Sequence, residues 1–124
     1  MDYRAITDTT SDQYHIQQRA WTDENGFRRY GDDYLVAMGT YYAEKCGKRF
    51  EITLENGTVF TAMIGDIKQD RHTDALHQHS NGNVLEFIVD DDVISDLCWY
   101  HGDMSFVDGV NFKGKIVSIK EIQA

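Results

Sequence analysis

The sequence predicts an all-β fold: a small six-stranded barrel with an N-terminal arm and one short helix. Three observations point there. Residues 49–54 alternate strictly, with Phe50, Ile52 and Leu54 on one face. Asn56-Gly57 then supplies a turn, because this pair accepts the positive φ values of a tight hairpin. Residues 83–89 are nearly all apolar, β-branched or aromatic, and only Glu86 interrupts them.

Taken in order, residues 1–33 form a polar arm with scattered aromatics: Tyr3, Tyr14, Trp21, Phe27 and Tyr30. Within it, residues 11–20 suit a short helix capped by Ser11, and Glu24-Asn25-Gly26-Phe27 is a turn signal. The arm is expected to pack through its aromatics on a barrel domain spanning residues 34–124. Strands are expected over most of 34–38, 49–54, 58–64, 83–89 and 115–121. Residues 92–100 read as a short helix or a turn-rich connection. Five or six short strands joined by long polar connections suit a small closed barrel.

Composition narrows the partners. A chain of 124 residues supports one domain with a real core, and 41% of it is apolar. There is no proline, where average usage gives about six; nothing in the sequence explains this. The net charge of −9 opposes binding to nucleic acid or to an anionic membrane, since both rely on Lys and Arg. A neutral polymer, a cationic ligand or a metal ion stays compatible. No stretch is long and apolar enough for a membrane span, and the first twenty residues lack a signal-peptide core. The chain thus reads as cytoplasmic, or as an excised domain facing the cell wall or the exterior. Cys46 and Cys98 fit one disulfide or two thiols, and neither lies in a CxxC pattern.

Chemistry concentrates in the polar loop expected over residues 65–74. Between Asp66 and Asp74 it carries three aspartates, Lys68, Arg71 and His72. A loop of this kind, held by rigid strands, is where a β scaffold displays function. In Asp70-x-His72-x-Asp74 and His77-x-His79, alternate residues of an extended segment point to one side, and imidazole with carboxylate suits zinc, iron or manganese. The spacing matches no ligand motif, and His77–Gly82 reads as a solvated loop, so no metal and no cofactor is expected.

A run of motifs over residues 34–92 has a familiar order. It comprises Ala37-Met38-Gly39-Thr40, Gly47-Lys48-Arg49-Phe50-Glu51-Ile52, Asn56-Gly57, Ile64-Gly65-Asp66 and Gly82-Asn83-Val84-Leu85-Glu86-Phe87-Ile88-Val89-Asp90. It resembles the double-psi β-barrel of the three-aspartate (3D) domains and of the related lytic transglycosylase A and rare-lipoprotein-A-like proteins. The resemblance implies a bacterial or phage cell-wall domain acting on the glycan strands of peptidoglycan, or on another neutral glycan, through aspartate. Asp66 matches the family's first aspartate, Asp90 would be its partner, and Asp74 stands in for the middle one. The chain departs from the family at Asp66-Ile67-Lys68-Gln69, where Asp-Thr-Gly-Gly is usual, and at its last strand, which normally reads like Ile-Asp-Leu. These departures favour the alternative, a non-catalytic phage or mobile-element module on the same barrel.

Glycan cleavage needs a carboxylic acid beside the glycosidic oxygen to protonate the leaving group. A lytic transglycosylase can use one carboxyl, with the sugar's 6-hydroxyl as nucleophile, whereas a hydrolase needs a pair. Asp66 is the expected acid, with Asp90 or Asp74 assisting, although an Asp after a Gly is also an ordinary turn residue. Lys68, Arg71, His72 and Trp99 are the expected substrate contacts. Trp21, Tyr41, Tyr42 and Tyr100 suit either sugar stacking or core packing. Glu86, alone among apolar neighbours, fits a half-buried outward face or a carboxylate with a cationic partner.

Overall fold

The computed structural model describes residues 1–39, 45–68, 85–95 and 116–122. They form β1 (Trp21–Thr22), β2 (Arg28–Tyr30), β3 (Asp33–Gly39), β4 (Arg49–Leu54), β5 (Val59–Lys68), β6 (Leu85–Phe87) and β7 (Ile116–Glu121), with helix α1 (Asp12–Arg19) and a 3₁₀ turn, Tyr3–Ala5. The fold is all-β with one helix. The strands make a single sheet in the order β1-β2-β3-β5-β4-β7, and β6 also pairs with β3. Among the described residues this sheet does not close on itself.

Local chemistry accounts for the elements. In the β4–β5 hairpin, Leu54 N–H donates to Thr58 O (2.8 Å) and Gly57 N–H to Leu54 O (3.0 Å). Gly57 has φ +89°, so the connection is a three-residue loop ending in a left-handed glycine rather than a two-residue turn. Helix α1 starts where expected: the Ser11 hydroxyl accepts from Tyr14 N–H at 3.1 Å.

Two short strands were not legible in the arm. The turn at residues 24–27 joins β1 to β2, and β2 pairs antiparallel with β3, so the arm is continuous with the sheet. The Asp23 carboxylate shapes that turn by accepting from Asn25 N–H (2.9 Å) and Phe27 N–H (3.0 Å). Strands of two and three residues are too short to show alternation.

The core lies on one face. Val36 and Met38 of β3, Phe50, Ile52 and Leu54 of β4, and Phe60, Ala62 and Ile64 of β5 pack with Phe27 and Val89. Burying each large side chain contributes about 1.5–3 kcal/mol relative to leaving it exposed. Phe27, Tyr34, Phe60 and Phe87 meet mostly edge to face, with centroids 5.0–6.0 Å apart. Leu35, Ala37 and Ile88 are buried as well but stand outside this cluster. They belong to the sheet's second face.

Residues 1–3 run beside 88–89. Tyr3 N–H donates to Val89 O and Val89 N–H to Met1 O, both at 2.8 Å. Residues 83–84 and 115, the outer ends of two expected strands, lie outside the described residues, as does most of the connection expected over 92–100.

Candidate functional site

β5 continues through Gly65 to Lys68, so the polar loop begins later than the sequence suggests. The ladder with β3 explains how an aspartate is accommodated there. Val36 pairs with Ile64, yet Ala37 pairs with Asp66, and the register shifts between them. Gly65 is the extra residue of this bulge. Strict alternation after Ala62 and Ile64 would turn residue 66 into the core. The bulge instead turns Ile67 inward, where it packs on the core cluster, and moves Asp66 to the second face. A carboxylate is thereby kept out of an apolar interior.

Gly65 has no room for a side chain. A Cβ there would stand 2.9 Å from Ile88 Cδ1 and 3.3 Å from Leu35 Cδ2. The close approach of β5 to these two buried side chains therefore depends on glycine.

Asp66 is half-buried. Its Oδ1 accepts from Ile67 N–H at 2.9 Å and from Gln13 Nε2 of α1 at 3.4 Å. Its Oδ2 takes no hydrogen bond among the described residues. Cys46 is a free thiol close enough to feel this charge. Burial first, and then the Asp66 and Asp12 carboxylates, push the thiol up to about 12, so it stays protonated and unreactive at neutral pH.

On the other side of β3, Ala37 pairs with Glu86 of β6. Asp66, Ala37 and Glu86 thus form one row across three strands, on one face. Ala37 between them is 2% exposed, so it is covered. The Glu86 side chain is 47% exposed, and the Met1 nitrogen lies 3.3 Å from its Oε1. Glu86 thus has both a half-exposed position and a cationic neighbour.

Asp90 has a different set of partners. It follows the bridge between Val89 and Phe27, and its N–H donates to Gly26 O at 2.8 Å. Its Oδ1 accepts from Asp92 N–H (3.0 Å) and faces Arg4 Nη2 (3.5 Å), while Oδ2 accepts from Thr22 Oγ1 (3.4 Å). Arg4 also binds Asp2 at 3.0 Å and Asp92 at 2.6 Å. Asp90 thus belongs to a network that fastens residues 2–4 to residues 90–92.

The remaining expected residues, Asp74, Arg71, His72 and Trp99, lie outside the described residues, as do Asp70, His77, His79, Tyr41, Tyr42, Tyr100 and Cys98. The backbone of Lys68 ends β5, opposite Gly39. Among the described residues no group of three or more His, Cys, Asp or Glu is placed to hold a metal ion, and no helix is long and apolar enough to cross a membrane.

Sequence reasoning weighed Glu86 apart from Asp66 and did not single out Gln13 or Ala37. The lone charge in an apolar strand was a signal for Glu86. Its level with Asp66 has no local signature, because two separate pairings with β3 create it. Set against protein-family models, curated proteins and solved structures, the chain matches none.

Proposed function

We propose that this chain is a cell-wall-active domain working on the glycan strands of peptidoglycan, or on a similar neutral glycan, with Asp66 handling the proton and Glu86 as the second carboxylate. The row Asp66–Ala37–Glu86 carries this reading. Two strand spacings separate the backbones of its outer members by about 9–10 Å. Carboxyl pairs that flank an attacking water stand about 6.5–9.5 Å apart, against about 5–5.5 Å for pairs that form a covalent intermediate. A carboxyl pair on one face of such a row is compatible with direct attack by a water, and Glu86 replaces Asp90 as the favoured partner.

The finer fold belongs to the same proposal. A six-stranded double-psi-like barrel would give the main core face a second layer by wrapping the sheet around its own core. The parallel β3–β5 pair within an otherwise antiparallel sheet is compatible with it.

A second reading, the non-catalytic phage or mobile-element module, has one observation in its favour: Asp66 and Asp90 both accept bonds that join separate segments. Incubation with purified sacculi separates the two. Soluble fragments ending in anhydro-sugars or reducing ends are expected. Asp66→Asn should slow their release by roughly 10²–10⁴-fold. Glu86→Gln should do the same for reducing ends and spare anhydro ends, which need one carboxyl. A folded wild-type protein that releases nothing leaves the non-catalytic module.

A further inference from the structure

We propose that α1 is a hinged cover over Asp66, docked by polar contacts and able to open while the sheet stays folded. The inference rests on the Asp66 reading only for its purpose; the opening itself follows from how the helix is held. A helix that serves the core presents an apolar stripe to it. In α1 the one buried residue is Gln17, and no apolar side chain is fully buried. Eight residues are also too few to hold a helix without packing.

The two ends are fixed unequally. Near the C-terminal end, Arg28 donates from Nε to Gln17 Oε1 (2.8 Å) and from Nη2 to Gln17 O (2.9 Å). Arg28 is 7% exposed, also binds Thr22 Oγ1 at 2.9 Å, and lies 4.0 Å over the Tyr3 ring. This end is a pivot. At the other end, the contact of Gln13 with Asp66 is a long hydrogen bond of 3.4 Å, and the preceding residues 7–10 are exposed.

The docked position also carries a cost. Gln17 is 7% exposed, and its Nε2 is buried with no hydrogen-bond partner among the described residues. Reversing the amide would set that donor against the Arg28 Nε–H, so the orphan stays on Nε2. An unmet buried donor is a standing penalty, so docking of the helix gains less at this end than the two Arg28 bonds alone would give. The low-stability parts of a protein are those with few buried apolar contacts, and α1 meets that description while lying on the candidate acid.

Native-state hydrogen exchange on the intact chain tests this. The amides of residues 15–19 should exchange at least tenfold faster than those of β3 and β5. Gln13→Ala should accelerate them further without changing the sheet. Exchange of α1 as slow as that of β3 and β5, unmoved by Gln13→Ala, would overturn the proposal. Added chitohexaose keeps the two readings distinguishable. Faster α1 exchange with the sugar supports both. An α1 that opens but ignores the sugar supports the cover and counts against the glycan reading.

Discussion

Gly65 decides where the carboxylate of Asp66 goes, and it does so through space rather than through a left-handed backbone. The Ile88 Cδ1 that a Cβ would meet is the tip of a side chain, but Ile88 is 0% exposed and has little room to retreat. Gly65→Ala should therefore destabilise the protein by about 1–3 kcal/mol, the usual cost of overpacking. Urea unfolding followed by circular dichroism should show a lower midpoint with unchanged slope. Adding Ile88→Val, which removes the opposing methyl, should restore part of the loss. If the double variant is no more stable than Gly65→Ala alone, the close approach is not what the glycine provides. The sequence placed Asp66 in a loop just after a strand, whereas it lies within β5, and the bulge that turns it from the core is invisible there, because it arises from register with β3.

Among the elements, the strap formed by residues 1–4 shows how an exposed ion network can still hold a segment. Asp2 accepts from Arg4 Nε and Nη2, both at 3.0 Å, and from Asp91 N–H at 2.9 Å. The hydrogen bonds from the Arg4 guanidinium, more than any other cause, hold the Asp2 carboxyl below its usual range, at about 2. A folded-state value depressed in this way stabilises the protein above the unfolded value, near 3.9, and the contribution fades as pH falls towards 2. Asp2→Asn should thus lower the urea midpoint at pH 6, and the gap from wild type should narrow between about pH 4 and pH 2. A gap that stays constant down to acid pH would show that Asp2 acts through its turn-capping geometry rather than its charge. Of the elements themselves, β4, β5 and α1 were legible because alternation, the Asn56-Gly57 turn and the Ser11 cap are local signals. The pairing of β6 with β3, and of residues 1–3 with 88–89, were not, since no local pattern names a partner that distant in the chain.

For the whole molecule, charge and topology set the limits on partners. The described arginines are mostly engaged within the protein. Arg4 binds Asp2 and Asp92, Arg28 binds Gln17, Arg29 pairs with Asp23 at 3.0 Å, and Arg49 grips Asp33 at 2.6 and 3.0 Å. With a net charge of −9 as well, the protein should not retard DNA or RNA fragments in a gel at low salt, where counterion release would most favour binding. A salt-sensitive complex would refute this. What the sequence by itself determined is the class of fold, the faces of its longer strands and the polarity of its surroundings, because periodicity, turn chemistry and charge are properties of neighbours along the chain. Tertiary structure alone decided which carboxylates share a row. Asp66 and Glu86 meet through a common neighbour, Ala37, and Asp90 is drawn away by Arg4 and Thr22. The physical reason is that cross-strand register is set by the summed packing of both faces and by one bulge, none of which is written at the positions it brings together.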